Sequence, residues 1–381
     1  MINEDILSKS CTGQIFRQSY HVREIGCQFI TNSYEHFDWA EQYFEPYYEK
    51  DNNRINKINY SVTSIVDSRI YDQYIKQADE YPYNFSKSHH YKQAKLIDMG
   101  EKKLLIYEDD QFLIMLDSNK NHFYLLSNGL VEDVRFEPAR IIREIFTREL
   151  EKQGFFLMHA AVVEKEGKSY LFCGNKGAGK TTTLIGLMNS GYNIVTNDRV
   201  FIGIEGTQIL SIGWPGAVAI TLETMLLFPK LKEILPSVRT MRFPQRRLDE
   251  EIDLTKHDLF SNDKKNKVDL TPSEISAIFG VEVKKEAILD QIIILGGFNE
   301  ELQNEKTRSK EIVRLVRENL LYPEDPSYPV WFNMRSSSDE IDNKFNSMFS
   351  KIICSIPLNI FQPDKAISVE RRIREIEEYL K

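Results

Sequence analysis

The chain has 381 residues, a formal net charge of −8, 41% hydrophobic and 28% charged residues. That length calls for two domains, or one domain with large additions, in an ordinary globular protein. The acidic balance argues against a general nucleic-acid surface, and no apolar stretch approaches the ~20 residues of a membrane-spanning helix. Met1-Ile-Asn-Glu-Asp-Ile6 has no signal-peptide pattern. Cys11, Cys27, Cys173 and Cys354 make no metal-ligand spacing, and His89-His90 lack partners at such a spacing. A cytoplasmic location is expected, with no nucleic-acid or membrane partner.

Residues 1–150 read as an N-terminal mixed, largely antiparallel β domain. Lys103–Tyr107, Phe112–Leu116 and His122–Leu126 alternate as consecutive strands, with Glu108–Asp110 and Asp117–Asn121 as turns. Pro138 to Gly154 follows as an amphipathic helix, with Ile141, Ile142, Ile145 and Phe146 on one face and the glycine as its stop. This region carries no chemistry of its own and is expected to dock substrate.

Residues 151–381 are expected to hold the chemistry. His159–Val163 reads as a strand, Glu164–Lys168 as a tight turn and Ser169–Cys173 as the returning strand. The run Gly174-Asn175-Lys176-Gly177-Ala178-Gly179-Lys180-Thr181 then matches G-x-x-x-x-G-K-[ST], a phosphate-binding loop. Its glycines allow the backbone N–H groups to curl toward a phosphate chain, Lys180 supplies a point charge, and the Thr181 hydroxyl is placed to ligate Mg²⁺. Thr182 either adds a hydroxyl or starts the helix, and Lys176 either reaches a phosphate or is solvated. Thr181–Ser190 reads as a helix with Leu184, Leu187 and Met188 on one face and Gly191 as its stop, so its positive end meets the phosphates. Tyr192–Val200 reads as a strand with Asn197-Asp198 at its end, where a carboxylate holds Mg²⁺ or accepts a proton.

These residues resemble the HPr kinase/phosphorylase family, whose fold is related to ATP-dependent phosphoenolpyruvate carboxykinase. The family places a histidine fifteen positions before the first loop glycine, as His159 stands before Gly174. After the loop and a helix it has a strand ending in an Asp-Asp pair, where this chain has Asn197-Asp198 followed by Arg199-Val200. The resemblance covers about residues 155–205. It implies an α/β (α+β) fold with a carboxykinase-like P-loop core, ATP and Mg²⁺ as cofactors, transfer of the γ-phosphoryl group to a serine or threonine hydroxyl of a protein or peptide, and a homo-oligomer. A small-molecule hydroxyl is an alternative acceptor.

Asn197 departs from the family, which uses the first acid of the pair as base. An amide positions a hydroxyl but takes no proton at neutral pH. Three readings stay open: Asp198 is the base, His159 is the base, or the protein binds ATP as a sensor without turnover. His159 can equally serve as a hydrogen-bonded anchor of the hairpin. Downstream, Gly213-Trp214-Pro215-Gly216 is a turn with one large aromatic, serving either the pocket or the packing. Residues 229–270 read as a mobile segment carrying Arg239, Arg242, Arg246, Arg247 and Lys267, cations for a γ-phosphate or for exposed salt bridges. A buried strand over Ile292–Leu295 and a charged tail helix within Pro363–Lys381 complete the reading.

Overall fold

The computed structural model describes residues 14–50, 58–87, 93–243, 245, 247–255, 266–296, 305–322, 339–362 and 367–380. The described chain divides into two compact units with the boundary between Gln153 and Gly154; residues 154–322 and 339–380 belong to the second.

The first unit is built on one nine-stranded sheet. In chain order its elements are β1 (Phe16–Val22), β2 (Ile25–Thr31), α1 (Tyr34–Phe44), β3 (Glu49–Lys50), β4 (Tyr60–Val66), α2 (Ser68–Ala78), β5 (Asn84–Lys87), β6 (Gln93–Asp98), β7 (Lys102–Tyr107), β8 (Phe112–Asp117), β9 (His122–Ser127) and α3 (Glu137–Lys152). The strand order is β3-β1-β2-β4-β9-β8-β7-β6-β5. The β6–β9 meander is antiparallel, with four residues between the paired ends at each turn, whereas β4 pairs in parallel with both β2 and β9. Pro138 stands in the first turn of α3, and the chain leaves the helix through Gly154 at φ +89°.

The second unit gathers its sheet from distant segments: β10 (Phe156–Met158), β11 (Ala161–Lys165), β12 (Lys168–Cys173), α4 (Lys180–Asn189), β13 (Asn193–Thr196), β14 (Val200–Glu205), β15 (Gln208–Gly213), β16 (Val218–Thr221), α5 (Leu222–Leu227), α6 (Pro229–Ile234), β17 (Lys267–Leu270), α7 (Pro272–Phe279), β18 (Glu286–Leu295), α8 (Glu305–Glu318), α9 (Asp339–Ser355), β19 (Leu358–Phe361) and α10 (Val369–Leu380). The main sheet runs β10-β14-β15-β18-β12-β11-β13, with β19 also on β18, and β16–β17 form a separate pair. It is mixed: β12 and β19 run parallel to β18, and the remaining pairs are antiparallel.

Strand alternation sorts the side chains onto two cores. Tyr170 and Phe172 face Leu184, Leu187 and Met188 of α4 and Ile373 and Ile376 of α10. Leu171 and Cys173 face the other way, toward Ile341, Phe345 and Met348 of α9. Helices therefore cover both sheet faces. The β11–β12 hairpin closes through Glu166 and Gly167, both at positive φ, the signature of the turn type that matches strand twist.

Two expected strands are each broken in the structure. His159 is not on a strand: β10 pairs with β14, β11 pairs with β12 and β13, and His159-Ala160 is the step between them. Its backbone N–H donates to Asn319 O at 2.7 Å instead of to a strand neighbour. The Tyr192–Val200 run likewise divides into β13 and β14, because Asp198 turns the chain at φ +73°. The 229–270 segment also differs from expectation. It contains α6, a 3-10 turn at Leu235–Thr240 and β17, and its Leu231, Leu235, Val238, Leu248, Val268 and Leu270 are buried in the α4-side core. Residues 244, 246 and 256–265, which include Arg246 and most of the expected loop, lie outside the described residues, as do Cys11 and His89-His90.

Candidate active site

The glycine-rich loop leaves the C-terminal end of β12 and enters α4. Gly174 is buried at φ +143°, and a Cβ on it would lie 2.2 Å from the carbonyl oxygen of Leu295 on β18. Its N–H donates to Asn319 Oδ1 at 3.3 Å. The loop then bulges into solvent at Asn175, Lys176 and Gly177, and Ala178 N–H closes a turn on Asn175 O at 3.0 Å. Gly179, at φ +96°, is the N-cap of α4. The first helical amides have no acceptor within the helix, so loop and helix start together present N–H donors beside a partial positive charge.

The Lys180 side chain folds back along the loop, donating Nζ to Gly174 O at 2.7 Å and Asn175 O at 3.4 Å. Burial holds its ammonium below the ordinary lysine range, with Cys173 and Asp198 pulling the other way. Thr181 Oγ1 donates to Asn197 Oδ1 at 3.4 Å, which brings the loop threonine to the break between β13 and β14. Thr182 Oγ1 lies 3.2 Å from Thr224 Oγ1 of α5.

The two strand interruptions meet. His159 Nε2 is 3.3 Å from Asp198 Oδ1. Burial pushes the Asp198 carboxyl up, but the His159 hydrogen bond and the charges of Arg199 and Lys180 outweigh it and leave it below the usual carboxylate range. The side chain keeps 53% of its surface exposed, so it is hemmed by cations yet open on one side. The break is held by Thr196, whose Oγ1 donates to Arg199 O at 2.7 Å, and the Arg199 guanidinium lies over the Trp214 ring at 4.9 Å. Trp214 is buried, which gives that residue a packing role against Arg199.

The predicted residues thus fall in one place: Gly174 to Thr182 form the loop and helix start, and Asn197, Asp198 and His159 stand beside Thr181 and Lys180. Hard oxygen donors are present at Thr181, Asn197 and Asp198, the chemistry Mg²⁺ takes when it also binds water and phosphate. Among the described residues no group of three or more His, Cys, Asp or Glu is arranged to hold a metal by itself. Cys173 is inert core, its thiol pushed up to about 12 by burial. Of the basic cluster, Arg239 is taken up by main-chain carbonyls, donating Nη2 to Asp249 O (2.7 Å) and Ile252 O (3.3 Å).

Asn319 was not among the sequence candidates. It is buried just beyond α8, and it holds both His159 through its carbonyl and Gly174 through its side chain, while its own Nδ2 donates to Leu315 O at 2.8 Å. Nothing local marks it, because both partners lie about 145 residues or more away in the chain.

No family model matches the sequence, and no curated protein matches it. Among solved structures the chain is similar to the Hpr(Ser) kinase/phosphatase from Coxiella burnetii, at 12% identity and a TM-score of 0.22, over 39% of this chain and 67% of that one. A superposition that loose carries neither fold nor activity from one chain to the other.

Proposed function

We propose that the chain is an ATP- and Mg²⁺-dependent phosphotransferase that passes the γ-phosphoryl group to a serine or threonine hydroxyl of a protein or peptide. One observation carries the reading: the Gly174–Thr181 loop, opening a helix, lies against a second cluster in which Thr181 touches Asn197 and Asp198 touches His159. The loop amides and Lys180 suit a phosphate chain, and exchange of the Lys180 contacts from Gly174 and Asn175 carbonyls to phosphate oxygens keeps its ammonium satisfied. Thr181, Asn197 and Asp198 would hold Mg²⁺, which supplies charge neutralisation at the phosphate oxygens.

Asp198, held ionised, suits a cation and orients His159 through Nε2; the pair together receives the hydroxyl proton. Phosphoryl transfer depends chiefly on positioning and electrostatics, so an amide at Asn197 is compatible with turnover. Asn197 is also what favours the second reading, an ATP-binding module without transfer, since no carboxylate stands beside Thr181 at that position.

The test is incubation with γ-labelled ATP and Mg²⁺ alongside small proteins and peptides encoded next to the gene. Label on a serine or threonine with the wild type, and none with Lys180→Ala, is the expected result. Transfer unchanged in Lys180→Ala would overturn the assignment, and tight ATP binding with no transfer to any acceptor would establish the second reading.

A further inference from the structure

A γ-phosphate in transfer needs cationic compensation beyond one lysine, and the cations near the loop are not equivalent. Arg239 is committed to two main-chain carbonyls. Arg247 faces Asp269, with Nη1 3.8 Å from Oδ1. Lys267 is different. It opens β17, where Val268 and Leu270 are fully buried, so Lys267 and Asp269 lie on the opposite strand face.

A chain of contacts ties Lys267 to the start of α4. Lys267 pairs with Thr221 across β16–β17. Thr221 Oγ1 donates to Thr224 Oγ1 at 3.0 Å, and Thr224 Oγ1 is 3.2 Å from Thr182 Oγ1 in the first turn of the loop helix. The half-buried ammonium makes no ion pair within 4 Å among the described residues. Burial, Arg247 and Lys176 press its pKa down, and Asp198 and Asp269 oppose them. The strand pairing and the threonine contacts thus set Lys267 on the side of β17 that leads to the loop helix, and Asp198 is among the charges it senses.

We propose that Lys267 is a catalytic residue whose ammonium meets the terminal phosphoryl group of a nucleoside triphosphate held on the Gly174–Thr181 loop. This rests on the phosphotransferase reading and adds a second cation to it. In the step, the acceptor oxygen bonds to the γ-phosphorus as the bond from that phosphorus to the β-phosphate oxygen breaks. The electron pair leaves on ADP, the hydroxyl proton goes to the Asp198–His159 pair, and Lys267 stays charged while it neutralises the oxygens being transferred.

Calorimetric titration of ATP and of ADP into the full chain, without acceptor, isolates this contact. Lys267→Met keeps the aliphatic stem, and Lys267→Gln is carried beside it so that a folding defect in one does not decide the result. Both variants should lose about 10- to 100-fold in ATP affinity, the scale of one charge-assisted contact, while ADP affinity changes less than about threefold. Lys267→Arg should restore most of the preference for ATP. A wild-type ATP-over-ADP ratio in the Met and Gln variants would overturn the role of Lys267 alone, provided Lys180→Ala loses nucleotide. If the wild type binds neither nucleotide, the phosphotransferase reading falls and takes this assignment with it.

Discussion

Gly174 and Gly177 look alike in the motif but stand in different surroundings. At Gly174 a Cβ would be driven into the Leu295 carbonyl, and φ is +143°. At Gly177 the same atom would meet nothing within 4 Å, so only the left-handed backbone, φ +84°, opposes a side chain. Gly174→Ala should therefore lower unfolding stability by about 3 kcal/mol, and Gly177→Ala by about 1 kcal/mol, read from urea denaturation midpoints. Equal costs would mean that β18 does not press on the loop as described. The sequence makes the loop legible through its glycines and Lys180, because that pattern is local. It does not separate these two glycines, because the difference comes from a carbonyl more than a hundred residues away.

Elements were legible where periodicity and turn residues act together. The β7–β9 meander, the β11–β12 hairpin and α3 lie where alternation, Gly and Pro put them. The two broken strands were not, since apolar residues continue through both breaks and periodicity cannot tell which sheet edge each half joins. Pairs of elements also carry their own chemistry. His36, in the first turn of α1, is buried and bonded through Nδ1 to Ser64 Oγ of β4 at 2.7 Å. Burial lowers its pKa to about 4; Glu137 opposes that shift and Arg135 adds to it. The unfolded histidine takes up its proton near its ordinary value of 6.5 while the folded one does not, so this contribution is complete above that pH. It is lost as pH falls from about 6.5 to about 4, by up to about 3 kcal/mol. His36→Gln should flatten the slope of urea stability of the first unit across that window; an unchanged slope would place the effect elsewhere.

The second unit is assembled from both ends of a long stretch of chain. Ile341, Phe345, Met348, Phe349 and Ile352 of α9 fill one face of its sheet, and Val369, Ile373, Ile376 and Leu380 of α10 fill the other. Ile373 also lies so close to Gly186 of α4 that a Cβ there would fall 2.3 Å from it. A chain ending at Tyr322 should lose cooperative unfolding of this unit and the nucleotide binding proposed for the loop, measured by near-ultraviolet circular dichroism and calorimetry. Retained binding would show that the loop does not need α9, β19 or α10. The charged composition of the tail hides this role, since its buried positions are spaced around a helix among many acids and bases.

The parallel pairing of β12 with β18 has a consequence for synthesis. Ser169 is matched to Leu289, and β18 in turn takes Leu358 of β19 as a parallel neighbour. The strand that delivers the loop therefore leaves the ribosome without the strand that will flank it, and waits for roughly 120 further residues before that edge is closed. During that interval the apolar edge of β12 is open to other chains, which makes this unit, and not the meander made of neighbouring segments, the part of the protein that depends on protection while it is being made.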